Sequence, residues 1–218
     1  QSVLQASMET GVRKFVAIST DKACSPRNTY GATKMLMERA VQEAQTLNPH
    51  TNYSCVRYGN VVSSSGSVIP IFSQYWAEGK PIPITSVQMT RFWIGIDDAV
   101  RLVEKALSDN RRGCTYVSKC ASMRILDVAQ VVWSMKGETG EVPTSIIGVR
   151  PGEKLSETLI DSYEAPYTID DGKYFIVPPA LSLVGERISQ EMAYDSSAPF
   201  RWMTKEEMSK LIEDSNWV

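Results

Sequence analysis

Apolar strand patterns alternate with amphipathic helical patterns through most of this sequence, and this order restricts its fold more than any other feature. The run from Phe15 to Ile18 is continuously apolar, as in a strand buried on both faces, and a helical pattern follows it. The same succession recurs further along the chain. Such alternation predicts a parallel sheet with helical crossovers, and therefore an α/β fold.

Turn and capping residues predict where these elements begin and end. We expect Gly11 to end a first helix, Asn28 to cap a helix over residues 29–48, and Asp97 to cap another over 98–109. The remaining pattern predicts strands over 12–19, 52–60, 91–96, 114–118 and 144–149, and helices over 68–79, 125–137 and 204–214.

Composition limits the classes of function that the chain can have. Its 218 residues suffice for one good core or two modest domains, and a formal net charge of −2 gives no broad basic field for nucleic acid or a membrane surface. No apolar run is long enough to span a bilayer. The four cysteines form no C-x-x-C pair, so we expect free thiols and a cytoplasmic location. A single histidine, His50, argues against a metal site and a histidine-based triad.

The stretch STDKACSPRNTYGATK, residues 19–34, carries the densest group of reactive side chains. Tyr30 and Lys34 are four residues apart on a predicted helix and therefore share one face. An ammonium group near a phenol favours the phenolate, which makes the tyrosine a usable base. The Y-x-x-x-K spacing also arises by chance in helices. The context favours function, because ligands of open α/β sheets bind outside the carboxyl ends of strands.

Asp21 and Lys22, an acid beside a base, directly follow the predicted strand over residues 12–19. A surface salt bridge between them is the simplest structural interpretation. Successive side chains of an extended segment point apart, so this pairing is not the obvious one. The polar residues from Ser19 to Lys22 would then face a ligand at the end of the strand.

A second polar loop follows the strand over residues 52–60. Asn60 can hydrogen-bond a ligand there, and residues 63–67 can offer backbone amides to a phosphate or amide group. An ordinary flexible Ser/Gly loop explains the same composition equally well. Ile69 and Phe72 are expected in the core, with Val68 nearest the loop.

Three charged residues further along are candidates for holding an anionic ligand. Arg150 and Glu153 fall in a tight Pro-Gly turn, where arginine suits a diphosphate and glutamate can accept from ribose hydroxyls. A solvated charged turn is the alternative. Arg91 lies among apolar neighbours in MTRFW, a setting where a charge needs a partner or a ligand.

Four blocks occur together in this order: STDKA…NTYGATK, VRYGNVVSSSGSV, ITSVQMTRFWI and IIGVRPGEKLSE. Together they resemble the extended short-chain dehydrogenase/reductase family, and within it the UDP-N-acetylglucosamine 4,6-dehydratases of the soluble, C5-inverting type. The resemblance covers roughly residues 3–160. It implies part of a doubly wound, Rossmann-like parallel sheet, with a smaller C-terminal α/β region. Residues 1–81 would belong to the NADP-binding domain and 82–218 mainly to the UDP-sugar region.

The resemblance assigns chemical roles to the first loop and helix. Tyr30 and Lys34 match the pair that serves NADP and the sugar 4-hydroxyl. Lys22 matches the base that removes the C5 proton, and Asp21 the acid that protonates the departing 6-hydroxyl. Thr20 would hydrogen-bond near the 4-oxygen. Common 4,6-dehydratases carry glutamate at the position of Lys22, so the lysine favours the inverting type.

The resemblance also implies contacts to the cofactor and to UDP-N-acetylglucosamine or a related UDP-sugar. The family usually has Gly at position 63 and Arg at 65, where this chain has serine, so cofactor binding is expected to differ. The cofactor would contact Val61, Val62, Ser63, Ser64 and Ser65. The UDP-sugar would contact Asn60, Val68, Thr85, Arg91, Arg150 and Glu153.

The Gly-rich turn with which the family begins is not found in these residues. We therefore expect a C-terminal fragment that is inactive by itself. A nucleotide-sugar 4-epimerase and a non-catalytic UDP-sugar binding fragment remain as alternatives. The resemblance also implies a homo-oligomer, for which the helix over residues 29–48 is a candidate surface, although its apolar stripe also suits plain core.

Overall fold

The alternating pattern is realised in a computed structural model, which describes residues 2–64, 66–179 and 193–215. Single 3₁₀ turns lie at Asp21–Ala23 and Ala165–Tyr167. The helices in chain order are α1 (Ser2–Thr10), α2 (Thr29–Leu47), α3 (Val68–Ala77), α4 (Ile96–Ser108), α5 (Ile125–Met135) and α6 (Lys205–Asp214). The strands are β1 (Lys14–Ile18), β2 (Asn52–Arg57), β3 (Asn60–Val61), β4 (Ile82–Ile84), β5 (Thr90–Ile94), β6 (Thr115–Ser118), β7 (Ala121–Arg124), β8 (Thr144–Ile146), β9 (Thr158–Ile160), β10 (Ile169–Asp170), β11 (Tyr174–Val177) and β12 (Tyr194–Asp195).

The chain forms two compact units, each built from separate stretches of sequence. The first unit comprises the described residues of Gln1–Gly59, Asp97–Lys119 and Thr158–Asp195. The second comprises the described residues of Asn60–Ile96, Cys120–Glu157 and Ser196–Val218. Compactness does not report what a region binds, so the division by function at residues 81 and 82 stays a prediction.

A five-stranded sheet of order β1-β2-β6-β11-β10 forms the first unit, beside a β12-β9 pair. β1, β2 and β6 run parallel, and β11 and β10 run antiparallel to their neighbours. The predicted parallel α/β sheet is therefore confirmed. The expectation that β1 is buried on both faces is wrong, because β1 lies at the edge of the described sheet. Only Ala17 of its five residues is buried, and Ile18 is 50% exposed.

Helices cover the sheet of the first unit. Val41 and Ala44 of α2 pack with Tyr53 of β2, and Leu102 of α4 packs with neighbouring apolar residues of β2 and β6. Asn28 caps α2 as predicted, since its side chain accepts from the Gly31 amide at 2.9 Å. The predicted cap at Asp97 is wrong. α4 already begins at Ile96, which places Asp97 in the first helical turn, near the positive end of the helix dipole.

The second unit contains the three-stranded sheet β3-β5-β7 and the pair β4-β8. Its core includes Ile69 and Phe72 of α3, Trp93 of β5, and residues of α5 and α6, so the two α3 residues are buried as predicted. α6 begins with a capping box, in which the Thr204 hydroxyl accepts from the Glu207 amide and the Glu207 carboxylate accepts from the Thr204 amide.

The remaining expectations from composition concern cysteine, histidine and the membrane. All four cysteines are free and buried, and His50 is exposed. In the part of the chain that the structure describes, helices are too short or too polar to cross a bilayer.

Candidate active site

The polar loop after β1 folds into a tight turn instead of continuing as an extended segment. Asp21–Ala23 forms one turn of 3₁₀ helix, and Thr20 caps it by accepting from the Lys22 amide at 3.4 Å. In a turn of this kind successive side chains no longer alternate, so Lys22 Nζ reaches Asp21 Oδ1 at 3.0 Å. The salt bridge that an extended segment made the less obvious interpretation is therefore formed.

Asp21 is fully buried, with a relative exposure of 0%. Its Oδ1 accepts from the Thr20 hydroxyl at 2.9 Å and from the Lys22 ammonium at 3.0 Å. Its Oδ2 is buried and has no hydrogen-bond partner among the described residues. A buried carboxylate oxygen without a donor costs roughly 1–3 kcal/mol, so this atom is suited to meet a ligand.

Tyr30 and Lys34 project from the first turns of α2 in the same unit. The Tyr30 side chain is 53% exposed, and Lys34 Nζ lies 6.0 Å from the centre of its ring. Lys34 Nζ also donates to the Ile18 carbonyl at 3.0 Å, which ties α2 to the end of β1. Burial raises the pKa of Tyr58, and the neighbouring Tyr30 phenol raises it further, so the Tyr58 phenol stays protonated at neutral pH.

Gly31 allows the 3₁₀ turn and α2 to come together. A Cβ at this position would overlap the Lys22 carbonyl oxygen and press on Pro26. Its backbone conformation is not of the left-handed kind, so glycine is required here for space. The backbone that carries Asp21 and Lys22 is thus packed directly on the first turn of the helix that carries Tyr30.

The predicted cofactor loop lies in the second unit, and Ser65 falls outside the described residues. The Val62 side chain is 5% exposed within the apolar core, and its amide donates to the Ile94 carbonyl. Neither group is therefore well placed to contact a ligand. Ser63 has φ of +59°, in the left-handed region that favours glycine. Its hydroxyl accepts from Ser215 at 2.8 Å.

The same loop carries the other predicted dinucleotide contacts and leads into α3. Val61 is half-buried at the end of β3, and Ser64 is exposed, with its amide 3.4 Å from the Val61 carbonyl. Val68, the first residue of α3, packs partly against the core, so the expectation that it lies nearer the loop than Ile69 and Phe72 is met.

Arg91 is buried in β5, as the apolar sequence around it predicts, and backbone carbonyls satisfy it. Its Nη1 donates to Thr90 and Leu155 at 2.7 and 3.1 Å, and its Nη2 donates to Lys154 at 2.9 Å. The Glu153 carboxylate lies 3.9 Å from Nη2. The sequence predicts a partner or a ligand for this charge, but not that carbonyls provide most of the contacts.

Arg150 and Glu153 form the predicted tight turn in the second unit. The Glu153 amide donates to the Arg150 carbonyl at 3.0 Å, and the Glu153 carboxylate accepts from the Arg150 amide at 3.3 Å. Gly152 has φ of +79° at the corner. Asn60 is half-buried in β3, and Thr85 is half-buried just beyond β4.

The structure sorts the predicted site residues by unit. Thr20, Asp21, Lys22, Tyr30 and Lys34 all lie in the first unit. The predicted UDP-sugar contacts, and residues 61–64 of the predicted cofactor loop, lie in the second.

Sequence reasoning missed a buried ion cluster behind the 3₁₀ turn. Arg57, at the end of β2, pairs with Glu38 of α2 at 2.5 Å and with Glu164 at 2.7 Å. Glu38 follows Tyr30 and Lys34 at the same four-residue spacing, which was the one available signal. Nothing local predicts Glu164, 107 positions away from Arg57 along the chain.

Cys24, Asp161 and Glu164 are the group among the described residues whose ligand atoms lie close enough to share a metal ion. Glu164 Oε2 already accepts from the Arg57 guanidinium at 2.7 Å. A cation in this position would have to displace or face that positive charge, so the donor set does not suit a metal.

Comparisons with known proteins agree with the motifs. Residues 1–179 match the family described as "Polysaccharide biosynthesis protein". The UDP-N-acetylglucosamine 4,6-dehydratase (inverting) of Campylobacter jejuni is 35% identical over 229 residues, covering 97% of this chain and 67% of that protein. The UDP-glucose 4-epimerase of Rickettsia canadensis is 37% identical over 180 residues, covering 82% of this chain and 52% of that protein.

Solved structures share the fold. The X-ray structure of Pen from Bacillus thuringiensis has a TM-score of 0.89 at 30% identity and covers 100% of this chain and 66% of its own. DesIV, a dTDP-glucose 4,6-dehydratase from Streptomyces venezuelae with NAD and TYD bound, has a TM-score of 0.63 at 19% identity. It covers 71% of this chain and 53% of its own and supports the Rossmann-like fold alone. This chain spans about two thirds of the length of its first relatives.

Proposed function

Because the chain belongs to the polysaccharide biosynthesis protein family, we propose that it carries the catalytic groups of an NADP-dependent UDP-N-acetylglucosamine 4,6-dehydratase. The reaction would remove one water from the sugar and leave a 4-keto-6-deoxy product for surface glycan synthesis. One observation carries the proposal. An acid and an amine, Asp21 and Lys22, are paired at 3.0 Å in a turn packed against the helix that presents Tyr30 and Lys34.

The residues present suit the nicotinamide end of a bound dinucleotide. The Tyr30 phenol is exposed and the Lys34 ammonium stands beside its ring, which are the groups that such a cofactor and a sugar hydroxyl would need. When bound, the dinucleotide would take a hydride from C4 and give it back at C6. Relatives of known structure are described with NAD, so the preference for NADP is part of the proposal.

Tyr30 would act first, by accepting the proton of the sugar 4-hydroxyl. Lys34 lies on the same helix face, with its ammonium 6.0 Å from the centre of the Tyr30 ring. Thr20 would hydrogen-bond near the 4-oxygen. The resulting 4-keto group acidifies the hydrogen on C5, which prepares the elimination.

Asp21 and Lys22 would then carry out the elimination as a pair. Transfer of one proton across their 3.0 Å contact converts the ion pair into a neutral acid and a neutral amine. The Lys22 amine can remove the C5 proton, while the Asp21 acid protonates the departing 6-hydroxyl, which leaves as water. The pair ends as ammonium and carboxylate, and C5 would then take up a proton that exchanges with solvent.

The second unit would hold the UDP portion of the substrate. Arg91 and Arg150 bring positive charge, and Glu153 can accept from ribose hydroxyls. The remaining expected contacts are Asn60, Val68 and Thr85.

The experiment is a turnover assay of the native gene product that contains this sequence, with UDP-N-acetylglucosamine and NADP in deuterated water. We expect a product lighter by one water, with deuterium at C5. Asp21→Asn and Lys22→Met should each lower kcat by about 10²–10⁴, as loss of a general acid or base does. A product of unchanged mass, or full activity of both variants, would contradict the proposal.

A 4-epimerase is the second candidate, favoured by the similarity to the Rickettsia enzymes. Epimerisation needs no elimination acid and base, so the Asp21 and Lys22 pair argues against it. The same assay separates the two, because an epimerised sugar keeps its mass. A non-catalytic UDP-sugar binding fragment would instead bind UDP in calorimetry with neither turnover nor NADP binding.

A further inference from the structure

A cluster of four side chains, Ser19, Glu38, Arg57 and Glu164, lies in the first unit and adjoins the 3₁₀ turn of Asp21–Ala23, which we call the catalytic turn. Ser19, Glu38 and Arg57 are 3–4% exposed. The Ser19 hydroxyl donates to Glu38 Oε1 at 2.5 Å, and the two carboxylates flank the guanidinium. We call this group the ion cluster.

All five N–H groups of the Arg57 guanidinium donate hydrogen bonds. Its Nε and Nη2 donate to the two oxygens of Glu38 at 3.1 and 2.5 Å, and its Nη1 and Nη2 donate to the two oxygens of Glu164 at 2.7 and 3.1 Å. Its last N–H donates to the Leu159 carbonyl at 2.7 Å. Five acceptors therefore meet the five N–H groups of one guanidinium, and two bidentate pairs fix its plane. An arginine held in this way has no donor left for a substrate.

Ser19 is the point at which the ion cluster meets the catalytic turn. It directly precedes Thr20, and its amide donates to the Val56 carbonyl at 2.8 Å. Its hydroxyl is held by Glu38, and the carbonyl of Ile18 accepts from Lys34 at 3.0 Å. Ile18 and Ser19, at the end of β1, thus accept from and donate to Lys34 and Glu38, which lie on successive turns of α2.

These contacts define the placement of the acid relative to the phenol. Tyr30, Lys34 and Glu38 follow one another at four-residue steps on α2, so one helix face presents the exposed phenol and anchors the strand end that leads to Asp21. The anchor is stiff because the guanidinium fixes Glu38 by two hydrogen bonds.

We propose that Ser19 and Glu38 are positioning residues, which hold the 3₁₀ turn of Asp21 and Lys22 at a fixed distance from Tyr30. This role rests on the proposed 4,6-dehydration, where one sugar ring must meet the phenol, the amine and the acid in succession. A displacement of about 1 Å is enough to lower such a rate by up to about 10².

Hydrogen exchange of this chain tests the role without nucleotide or sugar. Ser19→Ala removes the hydroxyl that Glu38 holds but leaves both carboxylates on Arg57. We expect the amides of Asp21, Ala23 and Cys24 to exchange about tenfold faster or more, with little change elsewhere in the unit. Ser7→Ala is the matched control, because Ser7 is also buried and its hydroxyl bonds the Leu4 carbonyl at 2.5 Å.

Steady-state kinetics of the native gene product give the second readout. We expect Ser19→Ala to lower kcat about tenfold with KM for the UDP-sugar within about twofold, because the expected UDP contacts lie in the second unit. Ser19→Thr, which keeps the hydroxyl, should recover most of the rate. Ser7→Ala should match the wild type. If Ser19→Ala does not fold, Ser19→Cys serves instead, since a thiol is only a weak donor.

Two results would overturn the proposal. The first is that the amide hydrogens of the catalytic turn exchange no faster in Ser19→Ala than in Ser7→Ala. The second is that the two variants have equal kcat. The exchange result stands whether or not the native gene product is a dehydratase. If the proposed function is wrong, the wild-type protein will instead fail to remove water from the UDP-sugar.

Discussion

Two buried arginines, one in each unit, solve the same physical problem in different ways. Arg57 is 3% exposed and lies between two carboxylates, and Arg91 is 7% exposed and lies among three backbone carbonyls. Both therefore have hydrogen-bond acceptors. Only Arg57 has close negative charge, because Glu153, the carboxylate with which Arg91 pairs among the described residues, is 3.9 Å away.

This difference favours different roles for the charges of Arg57 and Arg91. A guanidinium held between two carboxylates adds no net positive charge to its surroundings, so Arg57 serves the architecture. Carbonyl dipoles orient Arg91 without cancelling its charge, which is compatible with the proposed contact to the UDP portion. Burial alone would have placed the two arginines in one class, and the chemistry of their acceptors separates them.

The largest effect should follow loss of the charge at Arg57. Arg57→Met would leave the buried Glu38 and the half-buried Glu164 beside each other without their cation. We expect a loss of about 3–5 kcal/mol in the free energy of unfolding, measured by urea denaturation. The matched change Arg101→Met removes an exposed pair with Asp98 and should cost less than about 1 kcal/mol. Equal costs for the two variants would show that the ion cluster does not stabilise the first unit.

A smaller effect on binding is expected at Arg91. Arg91→Gln keeps a donor for the carbonyls but removes the charge, so affinity for UDP should fall about 10- to 100-fold, measured by calorimetry on the native gene product. Arg124→Gln, at an exposed position of the same unit, should leave the affinity unchanged. If the two variants bind UDP equally well, Arg91 has a structural role like that of Arg57.

The smallest effect is a change in acid sensitivity. Burial opposes ionisation of Glu164, but the Arg57 guanidinium and its hydrogen bonds outweigh burial and lower the pKa below its ordinary value of 4.5. A carboxyl with a lowered folded-state pKa contributes stability fully above 4.5 and loses it as pH falls through its folded pKa. Glu164→Gln should therefore show a shallower fall in the urea midpoint below about pH 5 than the wild type. An identical pH profile would argue that Glu164 does not titrate with folding.

Local sequence rules predicted the ends of helices well where the deciding contacts lie within one helix. Gly11, with φ of +66°, follows α1 as a helix stop should, and Asn28 caps α2. They failed where a neighbour in space decides. Asp97 lies inside α4, and Asp21 meets Lys22 because the chain turns after β1 where an extended segment was assumed.

Some residues of the candidate site were likewise predictable from local sequence, and others were not. Family motifs pointed to Tyr30, Lys34 and Arg91, because these residues are recognised from short sequence patterns. The ion cluster joins Arg57 to Glu164 across 107 positions, and no periodicity links residues so far apart. That contact depends on how the sheet, α2 and the segment after β9 pack, which only the folded chain determines.

The close approach of Gly31 to the Lys22 carbonyl has a consequence for anyone who wishes to alter the specificity of this protein. Saturation libraries built on the start of α2 would lose most members at that one codon, whatever pocket they were meant to reshape. Diversity is better placed at exposed positions such as Ser64, with Gly31 held constant, so that the sampled variants do not differ in whether the first loop forms.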